Sequence, residues 1–142
     1  MQLAKFGRAL VLATCVAACD APLNPETPPL VKGASVGREH FSPCPPDASF
    51  DWKVSFSPEF EARLNELVSL DSSEQALIQA LAGQGFHLEA PPCSDDLAVR
   101  SAMFVQSGGG LTSYPILATA YWRVNADNRI EWIHGNVAFS GP

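Results

Sequence analysis

Residues 116–139 read ILATAYWRVNADNRIEWIHGNVAF. In the first half Ile116, Ala118, Ala120, Trp122 and Val124 alternate with polar or mixed residues, the pattern of a strand with one buried face. Asn125-Ala126-Asp127-Asn128 then supplies a turn, and Asn128 is a residue that tolerates the left-handed region a three- to four-residue hairpin loop needs. A type I turn closed this way sets Asn125 opposite Arg129. It also predicts the pairs Val124 with Ile130, Arg123 with Glu131, Trp122 with Trp132, and Tyr121 with Ile133. Trp122, Trp132, Val124 and Ile130 would share the buried face, with an ion pair on the other, as a consistent register requires. His134 would then lie opposite Ala120 on the apolar face as a structural histidine. Tyr121, Arg123, Glu131 and Ile133 would form an outer patch, rich in the aromatic and Arg types that anchor interfaces.

Working back from the hairpin, residues 97–106 read as a further strand, with Leu97, Val99, Met103 and Val105 on one side. Ser107-Gly108-Gly109-Gly110 joins it to the hairpin. That run has no following Lys and opens no helix, so it reads as a loop and not as a phosphate cradle. Two helix starts precede it. Ser57-Pro58-Glu59 offers a capping hydroxyl, Pro at the first helical position and acid in the first turn. Phe60, Leu64, Leu67 and Val68 fall on one face of the helix that follows. Asp71-Ser72-Ser73-Glu74-Gln75 offers a capping box from Asp71 to Glu74 or from Ser72 to Gln75. It leads into Leu77, Ile78 and Leu81, with Gly83 and Gly85 as a stop and Phe86 as an anchor. Phe50-Asp51-Trp52-Lys53-Val54-Ser55-Phe56 alternates as a strand. The expected fold is α+β: two N-terminal helices packed on a small antiparallel sheet of three to four strands, in one domain over residues 49–142.

The remainder of the chain has another character. Lys5 and Arg8 precede the apolar run Ala9 to Ala18, the order of a secretory signal, and the run is too short to cross a bilayer, which takes about 20 apolar residues. Of the 12 prolines, seven fall between Asp20 and Pro46, so residues 19–48 read as a Pro-rich tether. Val16-Ala17-Ala18-Cys19 resembles the lipobox of bacterial lipoproteins. That resemblance implies cleavage before Cys19, a signal peptide over residues 1–18, and lipid attachment to the Cys19 thiol. Two or more acyl chains would hold the protein on its membrane, at about 0.8 kcal/mol per buried methylene. Asp20 resembles a lineage-dependent inner-membrane retention signal, and either membrane of the envelope stays compatible.

Cleavage would leave seven Lys and Arg against fifteen Asp and Glu, a net charge of −8. Such a surface repels phosphate backbones and anionic head groups, so nucleic acid is not an expected partner. Cleavage would also remove Cys15. With Cys19 acylated, Cys44 and Cys93 remain as a pair in an oxidising compartment, where a disulfide is expected. A zinc site is the competing reading, since His40 and His87 lie four and six residues before these cysteines. The tight Cys pair that usually accompanies local ligand spacing is missing.

From Leu70 to Phe139 the chain is similar to small envelope lipoproteins of the SmpA/BamE type, whose fold is shared with the β-lactamase inhibitor protein. The residues carrying the likeness are the helix start at Leu70 to Gln75, the helix end Gly85-Phe86, Trp122 and Val124, Arg129-Ile130, and Ile133 with Gly135. The resemblance implies helices on an antiparallel sheet and a role in outer-membrane assembly. No spacing of His40, His87 or His134 with a Ser or Cys nucleophile matches a catalytic triad, and no motif calls for a cofactor or a metal. Two functions follow as expectations. One is a lipid-anchored module that binds another envelope protein. The other is a small-ligand carrier or enzyme with a site built from scattered loop residues near Gly108 to Gly110.

Overall fold

The computed structural model describes residues 26–37, 43–44, 57–107 and 115–139. In chain order these form helices α1 (Pro58–Leu67) and α2 (Glu74–Ala82), then strands β1 (His87–Leu88), β2 (Val99–Gln106), β3 (Ile116–Val124) and β4 (Ile130–Phe139). The four strands make one antiparallel sheet in the order β1-β2-β3-β4. The fold is therefore α+β, but the helices lie in the middle of the chain and not at its N-terminus. The strand expected over residues 50–56 falls outside the described residues, and β1 is a two-residue strand that the sequence did not signal.

One face of the sheet carries Ala102, Phe104, Ala118, Ala120, Trp122, Val124, Ile130, Ile133 and Val137, all buried. Against it pack Phe60, Leu64 and Val68 around α1, Leu77 and Leu81 of α2, and Phe86. Phe86 stacks on Phe60 at 5.9 Å between ring centroids and meets Phe104 at 5.8 Å. It is positioned by the end of α2. Gly85, at φ +83°, donates its N–H to Ala82 O, and the Phe86 N–H reaches Leu81 O at 3.1 Å. This pair of bonds is a Schellman closure, and the left-handed residue within it favours glycine.

The hairpin turn forms as the sequence predicts. Asn128 adopts φ 55°, its N–H bonds Asn125 O at 3.0 Å, and Asn125 N–H bonds Arg129 O at 2.9 Å. Val124 pairs with Ile130, and there the expected register ends. The next pair is Arg123 with Trp132, so Glu131 is an extra residue bulging from β4. Beyond it Trp122 faces Ile133 and Tyr121 faces His134. Trp122 and Trp132 thus lie on opposite faces, because side chains alternate and one inserted residue exchanges the faces of everything after it. The bulge turns Ile133, Gly135 and Val137 toward the helices while keeping Ile130 there too. On β2 the core positions are Ala102 and Phe104. Val99, Met103 and Val105 do share a side, but it is the face away from the helices.

The open edge of β4 is covered from three directions. Asp71 N–H donates to Ile130 O at 2.9 Å and Ile130 N–H to Ser72 O at 3.0 Å, while Gly37 N–H bonds Val137 O at 2.7 Å. Ser57, fully buried, donates its N–H to Gly135 O and accepts from Val137 N–H through its hydroxyl at 2.8 Å. That hydroxyl, expected to cap α1, is thus engaged by the sheet, and α1 begins at Pro58 with no side-chain cap bond. Edge groups left bare would template pairing with another chain, so these bonds both close the edge and fix where α1 starts. Asp71 is occupied in the same way, at φ 66°. The cap of α2 passes to Ser73, whose hydroxyl accepts from Ala76 N–H at 3.4 Å.

Part of the stretch with tether composition packs on this domain. Leu30 and Val31 are 5% and 3% exposed and belong to the core. Their turn is held by Arg63, whose Nη1 donates to the carbonyls of Leu30 at 3.0 Å and Lys32 at 2.8 Å. Glu59 accepts from Ser35 N–H at 2.9 Å and Ser35 Oγ at 2.8 Å, and the backbone bond above all holds its carboxyl below the usual carboxylate range. Cys44 and Cys93 are joined in a disulfide with Cα atoms 5.2 Å apart. The bridge uses both thiols that a zinc site would have required.

Candidate functional site

The bulge at Glu131 shapes the surface beside the hairpin turn. Because Arg123 on β3 sits at the register shift, its guanidinium faces two carboxylates. Nε lies 3.0 Å from Asp96 Oδ2, and Nη1 meets the Glu131 carboxylate. Asp96 is held in turn by Ala98 N–H, which donates to Oδ1 at 3.0 Å. The bond from Arg123 is the main reason the Asp96 carboxyl lies below its ordinary value, and the Asp96 bond first, then Glu131, raise the guanidinium of Arg123. A carboxyl lowered by folding stabilises the fold above its unfolded pKa and loses that contribution as pH falls through the folded value. All three groups touch water, which screens the attraction, so the triad chiefly fixes where a planar cation and two acids are presented.

Beside the triad, on the face turned away from the helices, lie Tyr121, Trp132 and His134. The rings of Trp132 and His134 are 5.1 Å apart between centroids. His134 Nδ1 is 3.1 Å from Glu61 Oε2, which ties the outer face of β4 to α1 around the strand's edge. His134 is therefore opposite Tyr121 on the outer face, and not opposite Ala120 in the core. Burial raises the pKa of the Tyr121 hydroxyl, so it stays a neutral donor and acceptor at physiological pH.

Of the four patch residues read from the sequence, the structure keeps Tyr121, Arg123 and Glu131 near one another and removes Ile133. Ile133 is 3% exposed and lies in the core, because the bulge shifts it by one position. Trp132 and Asp96 enter in its place. The signal for Trp132 was present in the sequence: Ile130, Ile133, Gly135 and Val137 have a spacing of three followed by two spacings of two, which a strand can bury on one face only with a bulge. Asp96 comes from the loop before β2, where Asp95-Asp96 reads as a solvated acidic pair, and nothing local points to Arg123 as its partner. Cys19, His40 and Gly108 to Gly110 lie outside the described residues. His87 stands exposed on β1.

Two depressions lie elsewhere on the domain. One, of about 280 Å³, is bounded by Leu30, Arg63, Leu67 and Gln84, and its cation is the one that pins the 28–33 turn. The other, of about 200 Å³, lies beside β1 and is bounded by Glu74, Ile78, Leu88 and Arg100. Glu74 Oε1 there accepts from the indole N–H of Trp122 at 2.9 Å and lies 3.7 Å from Arg100 Nε. This carboxylate satisfies the only polar group of a fully buried Trp, which burial would otherwise penalise. Both depressions are lined by groups with structural duties, whereas the Arg123, Asp96 and Glu131 side chains reach solvent, with the partly buried Tyr121 and Trp132 beside them. No family model, no curated protein and no solved structure matches this chain.

Proposed function

We propose that the protein is a lipid-anchored module of the bacterial envelope that binds another envelope protein through the surface around Tyr121, Arg123 and Glu131. The observation that carries the anchored part is Val16-Ala17-Ala18-Cys19 after a short apolar run, together with the disulfide between Cys44 and Cys93. Persistent disulfides belong to oxidising compartments, and a lipobox delivers a protein to one. In this reading residues 1–18 are removed, Cys19 carries the lipid, and the folded part faces the periplasm. The likeness of residues 70–139 to envelope lipoproteins of the SmpA/BamE type points to the same setting.

The binding part rests on Arg123. Its orientation is fixed by Asp96 and Glu131, and it lies beside Tyr121 and Trp132, side chains of the types that dominate interface energetics when a partner desolvates them. Covering the ion pair strengthens its Coulomb attraction at a desolvation cost that hydrogen bonds from the partner would offset, so its orientation gives specificity and register to an interface. A photoreactive residue at exposed Asp127 in the adjacent hairpin turn, in cells of the native host, should give one discrete protein adduct. That adduct should fall at least tenfold with Arg123→Ala, and the same probe at exposed Gln79 on α2 should not give it. Adducts that are alike from both positions, or indifferent to Arg123, would contradict the assignment.

A further inference from the structure

The way the tether joins the domain fixes which end of the sheet faces the lipid. Gln106 pairs with Ile116, and Ile116 pairs with Phe139, so these three residues form one end of the sheet. The hairpin turn at 125–128, with Arg123 and Glu131, forms the other. The chain reaches the domain at the first of these ends: Thr27 Oγ1 donates to Gln106 Oε1 at 2.6 Å, Leu30 N–H donates to Gln84 Oε1 at 3.3 Å, and Leu30 and Val31 enter the core. Only residues 20–26 separate Cys19 from this attachment, Pro22 and Pro25 among them. A Pro-rich chain advances about 3.1 Å per residue, so the eight steps from Cys19 to Thr27 reach about 25 Å.

That reach decides the orientation. From Ile116 to Val124 the sheet is about 26 Å long at about 3.3 Å per residue. Turning the domain over would require the tether to run back along the whole sheet, which consumes its length before it spans the head groups. Val105 and Phe139 are 45% and 43% exposed at the attachment end, where apolar side chains can meet a bilayer interface. The turn end exposes Asp95, Asp127 and Glu131 together with Arg129, Leu70 and Leu97, so the reach of the tether, and not a contrast between the two surfaces, sets the orientation.

We propose that the Gln106–Ile116–Phe139 end of the sheet rests against the bilayer that holds Cys19, with Val105 and Phe139 as its lipid-facing side chains. The hairpin turn and the Arg123 triad then point into the periplasm, toward a partner that is not in the same bilayer plane. This orientation rests on the reading of Cys19 as the acylated residue.

The test uses the full acylated protein in neutral phosphatidylcholine vesicles carrying a nitroxide at the head group. A fluorophore is placed on Val105→Cys or, in a second sample, on Asp127→Cys, the native disulfide being left oxidised. Quenching at position 105 should exceed that at position 127 by threefold or more. Inserting about twenty Gly and Ser residues after Glu26 should bring the two values together, since a longer flexible linker lets the domain turn. Equal quenching without the insertion, or stronger quenching at position 127, would overturn the orientation while leaving the anchor in place. Failure of the acylated protein to bind the vesicles would overturn the anchor itself, and the orientation with it.

Discussion

Gly135→Ala should lower the thermal midpoint of the domain by about 10 °C, an unusual cost for adding one methyl group to a strand. The reason is where that methyl would go. A Cβ at position 135 would stand 2.5 Å from Phe60 Cδ1 and 2.9 Å from Leu64 Cδ1. Phe60 and Leu64 are fully buried and cannot swing outward, so α1 would have to lift from β4. Lifting it would strain the bonds that Ser57 makes to Gly135 and Val137. Overpacking of this kind costs about 1–3 kcal/mol, and each kcal/mol shifts the midpoint of a domain of this size by about 4–8 °C. The comparison is Gly83→Ala, where the new Cβ meets Gln79 O at an ordinary 3.5 Å and φ is −61°. That change should be neutral or stabilise by about 0.4–1 kcal/mol through the unfolded chain. Thermal melts of the two variants should therefore move in opposite directions, or at least by very different amounts. A Gly135→Ala midpoint at or above that of the parent would mean that α1 does not rest on this glycine.

The second large effect belongs to the disulfide. Cys44 and Cys93 are 49 residues apart in sequence, and the chain-entropy model assigns about 4 kcal/mol to a loop of that size. Cys44→Ser is the better variant, because Cys93 is 2% exposed and a hydroxyl there would add a buried polar group to the loss. The variant should unfold at markedly lower denaturant concentration, with a loss of about 2–5 kcal/mol. Reductant should bring the parent protein to nearly the same midpoint and leave the variant unmoved. A parent protein whose midpoint ignores reductant would show that the bridge contributes nothing to stability.

Much of the fold could be read from residue order, and the misreadings have definite physical causes. The hairpin turn was legible because Asn128 is a residue suited to a left-handed φ, and the C-terminal end of α2 because Gly85 and Phe86 are placed for a Schellman closure. The disulfide followed from counting cysteines once Cys15 and Cys19 were assigned to export. The register past Val124 was not legible from alternation alone, since pairing Trp122 with Trp132 satisfies a two-residue period that the bulge breaks. The α1 start at Ser57-Pro58 was legible, but not that the Ser57 hydroxyl serves the edge of β4, and the α2 cap was misplaced because Asp71 serves that edge too, a tertiary demand that no local pattern contains. Leu30 and Val31 were hidden by the prolines around them: composition signals a tether, while two apolar side chains and Arg63 bring that turn into the core. The outer patch read from the sequence suffered the same one-residue error as the register, which exchanged Trp132 for Ile133.

A shorter tether would change what a lipid anchor on Cys19 does. With residues 28–31 packed on the domain, a lipid on Cys19 would hold the folded part close to its bilayer and present the Arg123 triad away from it. The proposed localisation, orientation and partner surface thus all rest on acylation of Cys19. Its direct measurement is the intact mass of the protein extracted from the native envelope. The expected mass is that of a chain beginning at Cys19 plus a thioether-linked diacylglyceryl group, with no such species from Cys19→Ser. An unmodified mass in the parent, whatever residue it begins at, would contradict it.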